Sequence, residues 1–279
     1  MKKKTLYVSI FLFLTSLINV SGQSKTDYLK PKKKMIKEAL YKVKNGQLKN
    51  RDEVLASNID KYTIYDKNEK VIESGRYNPN NGALYEKTIY NRDKNGNAIK
   101  AIKRESSDKI KNYWTYKYDS KNNLVEVKTY NVKNVLTKTQ SNKYDREGNN
   151  IEMILGSPNS NGAWKYIYKY NDKKERIEQL KYKPDGSLKD KRVYSYDKNG
   201  NEDVQIKFST GGSFTKFIST YDENNNLLVQ DWFNEKGEKI HQTSFEYVYD
   251  KFGNWITKKR SSKGVLSMIW ERQIEYYKK

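Results

Sequence analysis

The sequence predicts an all-β protein: a repetitive antiparallel β-meander of about eight two-stranded units, each of roughly 26 residues, forming an elongated twisted or curled sheet. Three observations predict this fold class. A tyrosine followed by Asp or Asn recurs every 25 to 28 residues, apolar and polar residues alternate between the turns, and the turns are rich in Gly and Asn. Such a period is typical of proteins whose units pack against their neighbours. The tyrosines are Tyr65, Tyr90, Tyr118, Tyr144, Tyr170, Tyr196, Tyr221 and Tyr249.

Each unit contains two strands and two turns, as the segment 193–221 illustrates. Tyr194 and Tyr196 lie two residues apart, so a strand places them on one face. The following Asp-x-x-Gly-Asn sequence predicts a tight turn, because Asp can accept a backbone N–H and Gly can adopt a positive φ. The predicted structural turn residues are Asp145, Gly148, Asn149, Asp197, Gly200, Asn201, Asp250, Gly253 and Asn254.

The N-terminus predicts export. Residues 1–22 combine a lysine-rich start, an apolar run and a small-residue cleavage site, which is typical of a secretory signal peptide. A retained membrane anchor is the alternative, although the apolar run is shorter than the roughly 20 residues of a spanning helix. We expect no transmembrane segment in the mature chain, and a location in the periplasm, at the outer cell surface or outside the cell. The absence of cysteine excludes disulfides and a lipoprotein anchor.

The rest of the chain is predicted to be one domain. Residues 23–34 are basic and predict a disordered lead-in, and 35–279 predict a single repeat domain, with 35–60 as an N-terminal cap or degenerate repeat. Apolar residues between Met35 and Val43 fit either a helical stripe or a strand. The strand is favoured because Asn45-Gly46 follows, and this dipeptide between apolar residues is a strong hairpin signal.

The charge of the chain is strongly basic, at a formal +21, and loss of the three signal-peptide lysines would leave +18. This favours anionic partners such as nucleic acid or acidic glycolipid. Alternatively, lysines on exposed strands keep a repetitive sheet soluble and protect its edges. Because the lysines are spread through all units instead of forming one basic segment, the sequence favours the second interpretation.

The aromatic residues have two interpretations as well. The 24 tyrosines can form cross-strand ladders that stabilise the sheet. An exposed surface of aromatic rings and lysines could instead stack on sugars or on unpaired bases. Large aromatic residues are costly to expose without a function. The candidate ligand contacts are therefore Trp114, Trp164, Trp232, Trp255 and Trp270.

The Tyr-Asp-x-x-Gly-Asn turns at 144–149, 196–201 and 249–254, with the closing stretch 272–276, resemble the YD repeat of the RHS family. The resemblance covers residues 60–279 and implies a short secreted member without a toxin domain. In large RHS proteins the repeats form a shell around a cargo, and glycan binding has been suggested for them. Eight units are too few for such a container. The resemblance therefore indicates the repeat class and leaves the activity open.

The sequence offers no recognisable catalytic set. His241 is the single histidine and there is no cysteine, so we predict no catalytic residue, no metal site and no cofactor. The predicted function is an exported, non-enzymatic binding or scaffold module for glycan or protein, in the periplasm or at the cell surface. The alternatives are a protein that binds an anionic polymer, a glycan-acting enzyme with two paired carboxylates, and a homo-oligomer formed through sheet edges.

Overall fold

A computed structural model of the chain describes residues 31–44, 47–48, 61–78 and 81–278. The predicted signal peptide (1–22), residues 23–30 and Asn45-Gly46 lie outside the described residues. All regular elements within the described residues are strands. They are β1 (Lys33–Lys44), β2 (Gln47–Leu48), β3 (Lys61–Tyr65), β4 (Val71–Tyr77), β5 (Leu84–Arg92), β6 (Ala98–Glu105), β7 (Ile110–Tyr118), β8 (Leu124–Asn131), β9 (Leu136–Tyr144), β10 (Asn150–Gly156), β11 (Trp164–Tyr170), β12 (Arg176–Tyr182), β13 (Leu188–Tyr196), β14 (Glu202–Ser209), β15 (Phe214–Tyr221), β16 (Leu227–Phe233), β17 (Lys239–Tyr249), β18 (Trp255–Ser262) and β19 (Val265–Tyr276).

The strands form a closed barrel. Each strand from β3 to β18 pairs antiparallel with the next one in the sequence. Strand β1 pairs with both β19 and β3 and so joins the two ends of the meander. The ring has 18 strands, and β2 pairs with the end of β1. The predicted elongated twisted or curled sheet is therefore wrong, because β1 joins both free edges that such a sheet would leave.

The closing strand comes from the segment that the sequence left ambiguous. The prediction of a strand over Met35 to Val43 is confirmed, and β1 begins at Lys33, inside the predicted lead-in 23–34. Its register with β19 runs from Lys33↔Tyr276 to Lys42↔Met268. Its register with β3 is shorter, from Met35↔Ile64 to Glu38↔Lys61. This segment thus supplies the strand on which closure depends.

The register divides the strand side chains into two faces, because successive residues of a strand point to opposite sides. Residues that lie opposite each other on neighbouring strands share a face. Face A contains Glu38, Lys61, Tyr194 and Phe217. Face B contains Lys37, Ile89, Lys128 and Val193. Most buried residues lie on face A: Glu38, Glu86, Ala101, Asn142, Asp190, Tyr194, Ser219 and Thr243. Tyr62, Glu152 and Ile269 are the buried residues of face B.

The pKa shifts of four glutamates follow the same division, although burial is also the largest influence on the pKa of Tyr62 and Asp231 on face B. Desolvation by burial is the largest influence on the pKa of Glu38 and Glu86 on face A. On face B, hydrogen bonds from lysines are the largest influence on Glu152 and Glu178. Side chains on the concave side of a closed sheet converge and shield one another from water. We therefore assign face A to the inside of the barrel and face B to the outside.

The barrel lacks a conventional hydrophobic core. Within the described residues the buried hydrophobic side chains are Tyr62, Ala101, Tyr194 and Ile269, which are divided between the two faces. A ring of 16 to 18 strands leaves an axial space instead of a packed interior. The inner face is therefore a lining, and its side chains determine what can be held there.

Candidate functional site: the inner face of the barrel

The Asp-x-x-Gly-Asn turns connect strands at one end of the barrel. In the turn after β9, Asp145 Oδ1 accepts the backbone N–H of Asn149 at 2.7 Å, and Asn149 Nδ2 donates to Asp145 Oδ2 at 2.8 Å. The intervening Gly148 has a φ of 85°, a conformation that costs glycine little. The turns at Asp197 and Asp250 have the same backbone pattern, with Gly200 and Gly253 also at positive φ.

The turn after β11 reaches the same shape with other residues. Asn171 replaces Asp, and its Oδ1 accepts the N–H of Lys173 and of Glu175. Its amide Nδ2 donates to Glu175 Oε2 at 2.7 Å, while Lys174 takes the position of Gly with a φ of 62°. The amide and the carboxylate have exchanged places, so the turn keeps its internal hydrogen bonds without the Gly-Asn pair.

The repeated tyrosines connect neighbouring units through their hydroxyl groups. In each regular unit the hydroxyl donates to the carbonyl of the residue that follows the preceding turn, as Tyr196 does to Arg176 O at 2.8 Å. The same bond recurs from Tyr118 to Ala98, Tyr144 to Leu124, Tyr170 to Asn150, Tyr221 to Glu202 and Tyr247 to Leu227. These hydroxyls satisfy backbone acceptors, so the tyrosines that form this series have a structural role.

The register places the five candidate tryptophans on face A. Trp114 lies opposite Ala101, Trp164 opposite Leu155, Trp232 opposite Phe217, Trp255 opposite Tyr249 and Trp270 opposite Leu40. They are all partly exposed. Trp232 packs between Phe217 and His241, at ring-centroid distances of 5.0 and 4.9 Å. The closed fold thus brings together, on one inner surface, residues that are far apart in the sequence.

Cations cover several of these rings. Lys181 Nζ lies 4.5 Å from the ring centroid of Trp164, and the Arg272 guanidinium lies 3.3 Å from that of Trp255. Lys258 Nζ is placed among three rings, at 4.5 Å from Phe245, 5.3 Å from Trp270 and 5.6 Å from Tyr247. Such contacts stabilise a cation with little access to water. They also occupy ring faces that a sugar or a base would need for stacking.

Carboxylates neutralise the inner face near β1 and β5. Glu38 accepts from Lys61 and Arg272, each at 2.7 Å. Glu86 lies 2.7 Å from Lys103 and 3.4 Å from Lys111. Burial alone would raise the pKa of Glu38 and Glu86, but the hydrogen bonds from these cations bring both below the ordinary value. We call this self-neutralised area, Glu38 and Glu86 with their cations, the N-terminal inner region.

Strands β17 to β19 present a different inner surface. Face A of β18 carries Lys258 and Arg260, which lie opposite Tyr247 and Phe245 of β17 and opposite Trp270 and Met268 of β19. Within the described residues neither cation is within ion-pair distance of a carboxylate. Burial lowers the pKa of Lys258, the positive charges of Arg272 and Arg260 lower it further, and the Glu38 carboxylate acts in the opposite direction. We call Lys258, Arg260, Phe245, Tyr247 and Trp270 the C-terminal inner region.

A third group on face A lies between β11 and β14. The Arg176 guanidinium lies over the rings of Tyr194 and Tyr168, at 4.8 and 5.6 Å. Burial raises the pKa of Glu202, although Arg176 and Arg192 act in the opposite direction. This group contains its own carboxylates, Glu202 and Asp190, so its charge is partly compensated.

The inner cations are not among the ligand contacts that the sequence predicts. The sequence favours lysines as an exposed coating of the strands, yet Lys258 and Arg260 lie on face A. The signal was present in the alternation of β18, where both residues share the register of the tyrosines and tryptophans of neighbouring strands. Within the described residues, no group of three or more His, Asp or Glu side chains is arranged to hold a metal ion. That part of the chain also contains no helix with the length and apolarity of a membrane crossing.

Comparison with known proteins gives only distant structural similarity. No family model and no curated protein matches the sequence. A porin-like protein from Bacteroides uniformis is similar, with 8% identity, a TM-score of 0.48, and coverage of 87% of this chain and 96% of that one. A porin-like protein from Bacteroides vulgatus has 10% identity, a TM-score of 0.34, and coverage of 88% and 99%. The Tc holotoxin pore of Photorhabdus luminescens has 12% identity, a TM-score of 0.33, and coverage of 76% and 15%. These similarities are too distant to indicate a function.

Proposed function

We propose that the protein is an exported, non-enzymatic binding module of the YD-repeat type, and that it holds its ligand against the inner face of the barrel. The observation that carries this proposal is the arrangement of face A, which combines five tryptophans with cations. A closed ring of this size has room for a ligand along its axis. The signal-peptide pattern of residues 1–22 supports export.

The same proposal places water, not lipid, against face B. Glu178 forms ion pairs at 2.7 Å with Lys169 and Lys191, whose side chains are 64% and 39% exposed. Lys143 is 71% exposed beside Glu152. Lys143 and Lys169 lie near strand ends, but Lys191 lies near the middle of β13, where a lysine facing lipid would cost about 2–4 kcal/mol. The periplasm, the outer cell surface and the extracellular medium all remain compatible with charges on both faces.

Binding of an anionic polymer is favoured over binding of a neutral glycan. Cations occupy ring faces of Trp164, Trp255 and Trp270, so these rings are poorly available for stacking on sugars. The formal charge of the chain also favours polyanions, and their affinity should fall as salt rises.

Tryptophan fluorescence tests the inner-face proposal directly, because the register places all five tryptophans there. Neutral and acidic polysaccharides would be titrated into the purified protein at low and at physiological salt. We expect an emission change with an acidic polysaccharide that weakens with salt. Binding without any emission change, abolished by removing the outer lysines Lys143 and Lys169, would contradict the proposal. Turnover of a polysaccharide that a point mutation abolishes would contradict the non-enzymatic assignment.

A further inference from the structure

The two inner regions differ in whether their cations form direct ion pairs. In the N-terminal inner region, Glu38 and Glu86 each form ion pairs with at least two cations, with nitrogen–oxygen distances down to 2.7 Å. In the C-terminal inner region, Lys258 and Arg260 have rings and a thioether around them. Arg260 Nη1 lies 3.7 Å from Met268 Sδ. Glu38 acts on Lys258 without forming an ion pair with it. Partly buried cations without a direct ion pair are unfavourable, so this area can accept an anion.

The spacing of these cations suits a chain with repeated charges. Lys258 and Arg260 are two residues apart on one strand and one face, which separates their positions by about 7 Å. Arg260 lies opposite Met268, and Met268 lies opposite Lys42 of β1. Lys42, on the strand that closes the barrel, is therefore a third cation on the same face, two strands away from Arg260.

The neighbouring groups favour a hydroxyl-rich ligand over unpaired nucleic acid. Single-stranded nucleic acid is generally held by aromatic faces that are open to the bases. Here Lys258 already lies over the rings of Phe245 and Trp270. Next to Arg260 on face A, Ser262 Oγ lies 3.4 Å from His241 Nε2, and Trp232 Nε1 donates to Gln230 Oε1 at 3.1 Å. These hydroxyl, imidazole and amide groups can bind sugar hydroxyls at the same surface.

We propose that the C-terminal inner region is an anion subsite that binds the carboxylate or sulfate groups of an acidic polysaccharide, with Lys258 and Arg260 as the charged contacts. The subsite deepens the proposed function and rests on it. The rings hold Lys258 and the Met268 thioether contacts Arg260 before the ligand arrives, so the ligand has fewer flexible side chains to order. The closing strand β1 completes the surface through Leu40, which lies opposite Trp270.

The test measures binding of polygalacturonate, which bears a carboxylate on each sugar, to the purified protein and its variants. Lys258→Gln and Arg260→Gln should each weaken binding by about tenfold, the size of one charged contact. Lys258→Arg should retain the affinity, because it keeps the charge. The matched control is Lys169→Gln on face B, which removes one equal charge and should weaken binding by less than about twofold. Urea unfolding midpoints of all variants show that each one is folded.

The outcomes separate the subsite from the proposed function. Equal weakening by Lys258→Gln and Lys169→Gln, while the wild type binds with a tryptophan emission change, would overturn the subsite and leave inner-face binding in place. Tighter binding of oligo-dT than of polygalacturonate would overturn the assignment to polysaccharide. The absence of binding to either polymer at low salt, together with no response to dextran, would overturn both proposals.

Discussion

The N-terminal and C-terminal inner regions lie on the same face of the barrel, yet their cations are paired differently. Near β1 and β5, Glu38 and Glu86 neutralise the cations around them. Near β18, Lys258 lies among aromatic rings and Arg260 contacts Met268. The acids Asp222 and Asp250 are engaged by turn amides and tyrosine hydroxyls. The two regions therefore differ in whether a carboxylate lies within ion-pair distance of the inner cations.

The largest effect should come from removing the carboxylate that links β1, β3 and β19. Glu38→Gln would leave Lys61 and Arg272 on the inner face without their counter-charge. We expect it to lower the free energy of unfolding by about 2–3 kcal/mol, as for a buried hydrogen bond to a charged group. Urea unfolding followed by circular dichroism measures this change.

Glu178→Gln is the matched control for this substitution, because Glu178 also lies between two cations, on the outside. Its side chain is more exposed than that of Glu38, at 15% against 8%, and both of its partners are more exposed than Arg272, although Lys61 is also exposed. The expected loss is below about 1 kcal/mol, since exposed pairs contribute little. Equal losses in the two variants would show that the inner and outer faces do not differ in their access to water.

The tyrosine hydroxyls distinguish the last units from the regular ones. Tyr249 and Tyr276 donate to the carboxylates of Asp222 and Asp250, whereas Tyr196 donates to a backbone carbonyl. Tyr249→Phe should therefore cost about 1.5–3 kcal/mol and Tyr196→Phe about 1 kcal/mol, measured by urea unfolding. A larger loss for Tyr196→Phe would mean that the carboxylate bonds add no stability.

The pH dependence of stability should separate the two inner regions. The folded pKa of Glu38 lies below its ordinary value of 4.5, so its contribution is complete above that value and is lost as pH falls through the folded pKa. Stability should therefore fall below about pH 4.5, and Glu38→Gln should show a smaller fall. Unfolding midpoints at pH 7, 5, 4 and 3 measure the difference. An unchanged slope in the variant would exclude Glu38 as a main contributor.

The units could be predicted from the sequence, and the closure could not. The turn at Asp145 follows local rules, because its side chain and Gly148 determine the backbone within five residues. Closure depends on β1 pairing with β19, which lies more than 200 residues away, and the strand pattern of Met35 to Val43 does not specify a partner. The tryptophans can be selected from the sequence by residue type alone. The inner position of Lys258 follows only from the strand register and the closure of the barrel.

The smallest expected change in stability comes from a substitution at Lys258, in the C-terminal inner region. Burial and two neighbouring positive charges, only partly opposed by Glu38, depress the folded pKa of Lys258 below its ordinary value of 10.5, so its charge opposes folding at neutral pH. Lys258→Met keeps an unbranched side chain among the rings and should change stability by between 0 and about +1 kcal/mol. The same variant should lose affinity for an acidic polysaccharide, because it removes the charge that binds the ligand. Stabilising substitutions at functional positions commonly reduce function in this way. A loss of stability would instead show that the contacts with Phe245 and Trp270 outweigh the missing counter-charge, and that Lys258 is part of the scaffold.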